Sequence, residues 1–101
     1  MKVLVTARPK FPIPPDQFGA LTQGFVAWRE RYRPKMESFY FFAGKGGGCG
    51  ILDAADEAEL SQIMLEWPFA FFSEIDIEPV VDGVVGLKQL QAAVQAMAGG
   101  R

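Results

Sequence analysis

Three acidic residues alternate along one short apolar run, Ser73-Glu74-Ile75-Asp76-Ile77-Glu78-Pro79. In an extended chain successive side chains point to opposite faces, so Glu74, Asp76 and Glu78 share one face and Ile75 and Ile77 the other. Carboxylates enclosed by apolar walls and by one another have their charged form disfavoured, which raises their pKa. A carboxylate tuned in this way can move protons at neutral pH. The same row on a solvent-facing edge strand would only keep that edge soluble, and both readings stand at this level. Arg8 ends the first apolar segment on the face of Leu4 and Thr6. It can form a structural ion pair with an acid of the row, or fork onto a substrate carboxylate. Tyr40 can donate its hydroxyl to a carbonyl or enolate oxygen, or act as a core or interface aromatic with a wet rim. Glu74, Asp76, Glu78, Arg8 and Tyr40 are therefore the candidate catalytic residues. Thr6, Phe42, Gly50 and Phe72 are the candidate substrate contacts.

Other chemistries lack their residues. The run Gly44-Lys45-Gly46-Gly47-Gly48-Cys49-Gly50 has the glycine density of a phosphate loop but not its Gly-x4-Gly-Lys-Ser/Thr spacing, and a strand rather than a helix follows it. It reads as a hairpin turn, with Gly50 placed to let a ligand approach the sheet closely. The sequence has one cysteine and no histidine, so Cys49 has no imidazole to activate it and no intrachain disulfide can form. No His, Cys and carboxylate set has metal-ligand spacing, so neither a metal nor a cofactor is expected. Arg29, Arg31, Arg33 and Lys35 cluster where a helix should end, and there they complement its dipole.

The elements that must position these groups follow from periodicity and punctuation. Lys2 to Arg8 is β-branched and apolar, a strand. Prolines 9, 12, 14 and 15 exclude regular structure up to Asp16, the expected cap of a helix to about Tyr32. That helix carries Phe18, Leu21, Phe25, Trp28 and Tyr32 on one stripe. Met36 to Ala43 is a strand by its aromatics, and Cys49 to Asp53 a short strand after the glycine turn. Asp56 and Glu59 form a capping-box pattern before a helix with Leu60, Ile63, Met64 and Trp67 on its stripe, ended by Pro68. Phe72 to Val80 is the alternating strand. After Asp82-Gly83 a last helix carries Val84, Leu87, Leu90, Val94 and Met97 on one side, and Gly99 and Gly100 end it. Two crossovers around a hairpin, βαββαβ, make a ferredoxin-like α+β fold with a C-terminal helix, within one domain of 101 residues.

Such a sheet has helices on one face only. The second strand nevertheless puts Phe39 and Phe41 on one face and Tyr40 and Phe42 on the other. Covering the second pair is worth roughly 3 to 6 kcal/mol, at about 1.5 to 3 each, against a net domain stability of about 5 to 15 kcal/mol. A second copy packed with two-fold symmetry is the expected cover, and the chain's own C-terminal helix is the alternative. A homodimer or larger homo-oligomer that binds a small molecule is the expected assembly. The net charge of −2 argues against nucleic acid or an anionic membrane as the main partner. The N-terminal apolar run is too short for a signal peptide, and no stretch approaches the about 20 apolar residues of a membrane span, so a cytoplasmic location is expected.

The stretch Trp67-Pro68-Phe69-Ala70-Phe71-Phe72-Ser73-Glu74-Ile75-Asp76-Ile77-Glu78-Pro79-Val80 resembles the end of muconolactone isomerase. The chain as a whole, over residues 1 to about 82, is still more similar to an uncharacterised family of short proteins in the same dimeric α+β barrel superfamily. That family opens with a Met-Lys-Val/Phe-type strand and continues with a glycine-rich hairpin, an acid-capped helix ending near Trp-Pro or Trp-Asn and a Glu-Ile-x-Pro-Val strand, and these features carry the likeness. The resemblance implies a dimeric barrel and a small cofactor-free enzyme performing isomerisation, cyclisation or lactone chemistry by proton transfer. It also admits a non-catalytic binding or accessory protein. The absence of histidine excludes any member mechanism that depends on one, and Lys10 to Pro15 departs from the isomerase's polar N-terminal residues.

Overall fold

A computed structural model describes residues 1–99. Its elements are β1 (Lys2–Pro9), α1 (Pro15–Tyr32), β2 (Met36–Phe41), β3 (Gly48–Asp53), α2 (Glu57–Leu65), β4 (Ser73–Pro79) and α3 (Gly83–Gly99). The strands form one antiparallel sheet in the order β2-β3-β1-β4. This is the expected ferredoxin-like α+β arrangement, with β2 and β4 as its edges.

Local chemistry accounts for the boundaries. Helix α1 begins one residue before Asp16, with Pro15 at its start and no side-chain cap. Proline's fixed φ suits a first helical turn and its missing N–H is not needed there, so Asp16 serves the dipole from inside the turn rather than capping it. The capping box at α2 is formed: Asp56 Oδ1 accepts from Glu59 N at 2.9 Å, and Glu59 Oε1 accepts from Ala55 N at 2.9 Å. Asp82 Oδ1 accepts from Val84 N at 2.9 Å and Val85 N at 3.3 Å and so starts α3. Ala70–Phe72, placed by periodicity partly in the last strand, is instead a 3₁₀ turn leading into β4. Helix α3 extends to Gly99; Gly100 lies outside the described residues.

Val3, Val5 and Ala7 of β1 and Leu52 of β3 are buried on the helix side, against Trp28 of α1, Ile63 and Met64 of α2, and Trp67. Trp28 Nε1 donates to the Ile63 carbonyl at 2.8 Å, tying α1 to α2 inside this core. Helix α3 takes no part in it. All of its residues except Gly86 are exposed, and the chain measures 65 × 26 × 21 Å. The C-terminal helix therefore does not cover the outer sheet face of its own chain. No helix among the described residues is long and apolar enough to cross a membrane.

Candidate functional site

Strand register sorts the candidate residues by face. Thr6 pairs with Cys49 on one side and Asp76 on the other, and Cys49 pairs with Tyr40. Tyr40, Cys49, Thr6 and Asp76 thus form one row across the outer face. Leu4 pairs with Ile51 and Glu78, and Arg8 pairs with Glu74. The three acids, Arg8 and Thr6 therefore share the helix-free face. Arg8 Nη1 lies 3.9 Å from Asp76 Oδ2, with both side chains more than half exposed, and its guanidinium is 5.6 Å from the Phe42 ring centroid. Lys45 Nζ lies 5.4 Å from the same centroid. Phe42 thus binds two cations at the end of the hairpin through its ring quadrupole.

An apolar cleft lies on the other face. A cavity of about 710 Å³ lies between α1 and the helix side of the sheet, toward β2. Its walls are mostly rings, including Phe18, Phe25 and Trp28 from α1, Phe39 and Phe41 from β2, and Trp67 and Phe69 beyond α2. Phe25 is the hub, with centroids of Phe39, Phe41, Trp28, Trp67 and Phe69 all 5.6–5.8 Å away. These edge-on and tilted contacts suit aromatic quadrupoles. The polar groups on the wall are few. Thr22 Oγ1 is spent on the Phe18 carbonyl, and Ser38 Oγ accepts from Ile51 N. Arg29 rests over Phe39, 5.0 Å from its centroid. Among the described residues Glu30 is the one carboxylate on the wall, its side chain 62% exposed and 3.8 Å from Arg33 Nη1, and Lys45 stands at the hairpin end. Trp67 Nε1 is buried and has no hydrogen-bond acceptor among the described residues.

Of the residues singled out from sequence, Gly50 and Phe72 contribute to the cavity wall, Tyr40 borders it at the β2 edge while its register places its side chain on the outer face, and Glu74, Asp76, Glu78, Arg8, Thr6 and Phe42 do not line it. The sheet separates the two groups, so one chain does not bring the acid row and the cavity together. Gly50 faces the helix side, opposite Val5 and Phe39. A Cβ there would lie 2.6 Å from the Ser38 carbonyl oxygen, so the close approach this glycine permits is that of the neighbouring strand. Sequence reasoning missed Phe25, Phe69, Arg29 and Glu30 as wall residues. The available signal was an excess of rings on α1, β2 and the Trp67-Pro68-Phe69 segment, all aimed at one place. Among the described residues no three His, Cys, Asp or Glu side chains group as metal ligands would.

Residues 1–98 match the family described as Domain of unknown function (DUF3303). The chain belongs to DUF3303. No curated protein matches this DUF3303 chain. Among solved structures it is similar to muconolactone isomerase, at 15% identity and a TM-score of 0.73, covering 81% of this chain and 90% of that one. It is also similar to 5-chloro-2-hydroxyhydroquinone dehydrochlorinase (TftG) from Burkholderia phenoliruptrix AC1100, at 17% identity and a TM-score of 0.62, covering 82% and 96%. The DUF3303 chain thus has the fold expected from the Trp67–Val80 segment, and at these identities the likeness is one of fold.

Proposed function

We propose that the chain is a small enzyme that moves a proton, without a cofactor, on a flat oxygenated organic substrate held in the aromatic cavity. The observation that carries this reading is the cavity itself. About 710 Å³ of ring-walled space with its charges kept to a few wall positions matches sites that enclose small ligands and orient them by few polar groups. In this assignment the Glu30 carboxylate takes the proton. Arg29 and Lys45 stabilise negative charge developing on a substrate oxygen. Two proteins of this fold support the substrate class by their names, a muconolactone isomerase and a dehydrochlorinase in complex with 2,5-dihydroxybenzoquinone.

A second reading keeps the chemistry on the outer face, where Arg8 contacts Asp76 between Glu74 and Glu78. There one of the three acids is the base, and Arg8 or Tyr40 stabilises the anion. Thr6 and Phe42 contact the substrate, and a second copy encloses the space. The two assignments separate by proton exchange. The chain is incubated in D₂O with a panel of lactones, enones and hydroxyquinones, and NMR follows loss of carbon-bound proton signals. The expected result is exchange or isomerisation of at least one compound, slowed about 100-fold or more by Glu30→Gln, a typical general-base contribution, and unchanged by Glu74→Gln, Asp76→Asn and Glu78→Gln. The reverse pattern selects the outer face. Binding with no exchange by any compound removes the catalytic reading and leaves a small-molecule binding protein.

A further inference from the structure

Two apolar features of this chain lack a partner, and they fit one another. The first is a ridge. On α3, Leu87, Leu90, Val94 and Met97 fall on one stripe, with Lys88, Gln89 and Gln95 on the other side, and each of the four is more than half exposed. A helix with such a stripe buries it against something. The second is a groove. The cavity opens outward along α1 and β2, where Phe18, Val26 and Phe41 line it and are also more than half exposed. Apolar surface gathered at the mouth of a cleft is the surface an amphipathic helix recognises.

The dimensions agree. The wall contributed by α1 runs from Phe18 to Glu30, about 18 Å of helix, and the α3 stripe from Leu87 to Met97 spans about 15 Å. The ridge does not lie in its own groove, none of whose lining residues belongs to α3. Helix α3 leaves from β4, one edge of the sheet, and the groove lies at β2, the opposite edge, about 14 Å away at ordinary strand spacing. Only Val80, Val81 and Asp82 link β4 to α3, and Val80 N is held by the Lys2 carbonyl at 3.0 Å.

We propose that α3 is an exchanged arm: it lies in the groove between α1 and β2 of a second copy, and that copy's α3 returns the contact. Each cavity is then closed by the other chain's helix. Two such arms, each about 25 Å by 10 Å in footprint, bury on the order of 1,000 Å² counted over both surfaces, near the lower bound for a specific interface. The two outer sheet faces remain free to meet. As a statement about closure of a reaction chamber, this rests on the cavity being the substrate site. As a statement about where α3 lies, it does not.

The test is cross-linking of the full chain in a Cys49→Ser background, which removes the native thiol. Chains carrying Val26→Cys and chains carrying Leu90→Cys are mixed and treated with a short bis-maleimide. A covalent dimer containing one chain of each kind is expected. Adding Leu87→Asp and Val94→Asp to the Leu90→Cys chain should cut its yield at least about tenfold, while unchanged thermal melting of the α1–sheet core shows that this core still folds. A Leu90→Cys homodimer as the main product would mean that α3 pairs with α3 and would overturn the proposal. So would cross-linking at monomer mass in a chain carrying both cysteines, or no product at all. Because the readout is mass, it stands whether or not any compound in the exchange panel turns over.

Discussion

Glu59 shows how much a single exposed carboxylate can be asked to do. It accepts from the Ala55 backbone N–H and lies 3.1 Å from Lys35 Nζ. The backbone hydrogen bond first, and then Lys35, hold its pKa below the ordinary value of 4.5. A carboxyl depressed in the folded state contributes stability that is complete above its unfolded pKa and is lost as pH falls through the folded one. The urea midpoint should therefore drop on acidification below about pH 4.5, and Glu59→Gln should flatten that part of the profile. Lys2 behaves in the opposite sense. Its hydrogen bond and charge contact with Glu37 raise its pKa above 10.5, so its contribution is present below that pH and is lost above it. In the core, Trp28→Phe removes the donor to the buried Ile63 carbonyl and should cost about 1 to 3 kcal/mol in denaturant unfolding. At this scale the sequence is readable where the chemistry is local. The Asp56/Glu59 box needs only a spacing of three. The cavity rings were readable as stripes but not as walls, because periodicity says which side of a helix is apolar and not whether the space beside it is filled.

Elements were legible where two signals agreed. Strand β4 alternates acids with isoleucines, and register places the two sets on opposite faces as expected. Helix α1 was placed by its apolar spacing, while its start shifted by one residue because Pro15 competes with Asp16 for the first turn. The glycine run was readable as a turn but not residue by residue. Gly47 has φ of +94°, and a Cβ there would clash with the Ala7 carbonyl oxygen. Both the left-handed backbone and the contact exclude a side chain, so Gly47→Ala should destabilise by at least about 1 to 3 kcal/mol. At Gly44, φ is +76° with nothing within 4 Å, so Gly44→Ala should show only the conformational penalty. Comparing the urea midpoints of the two variants isolates the cost of the contact at the β1 end of the hairpin.

At the scale of the molecule, the radius of gyration is 17.7 Å, against about 13 Å for a compact chain of this length. The difference is α3, standing off the sheet. Order and hydrophobic stripe were readable for this helix. Which chain it leans on was not, since a stripe records that a partner is needed and not whose. If Leu87, Leu90, Val94 and Met97 become fully covered, each contributes about 1.5 to 3 kcal/mol. Stability supplied by a second copy also depends on mass action. The melting temperature should accordingly rise with protein concentration, and Leu90→Asp should make it concentration-independent.

The chain has two tryptophans, and both stand in the same wall, their ring centroids 6.2 Å apart with Phe25 5.7 Å from each. Tryptophan emission from this molecule therefore comes from one chamber. A guest that absorbs in the near ultraviolet should quench nearly all of the light at once, with no label and no need to know the reaction beforehand. A compound that settles among the acids across the sheet should leave the emission almost untouched.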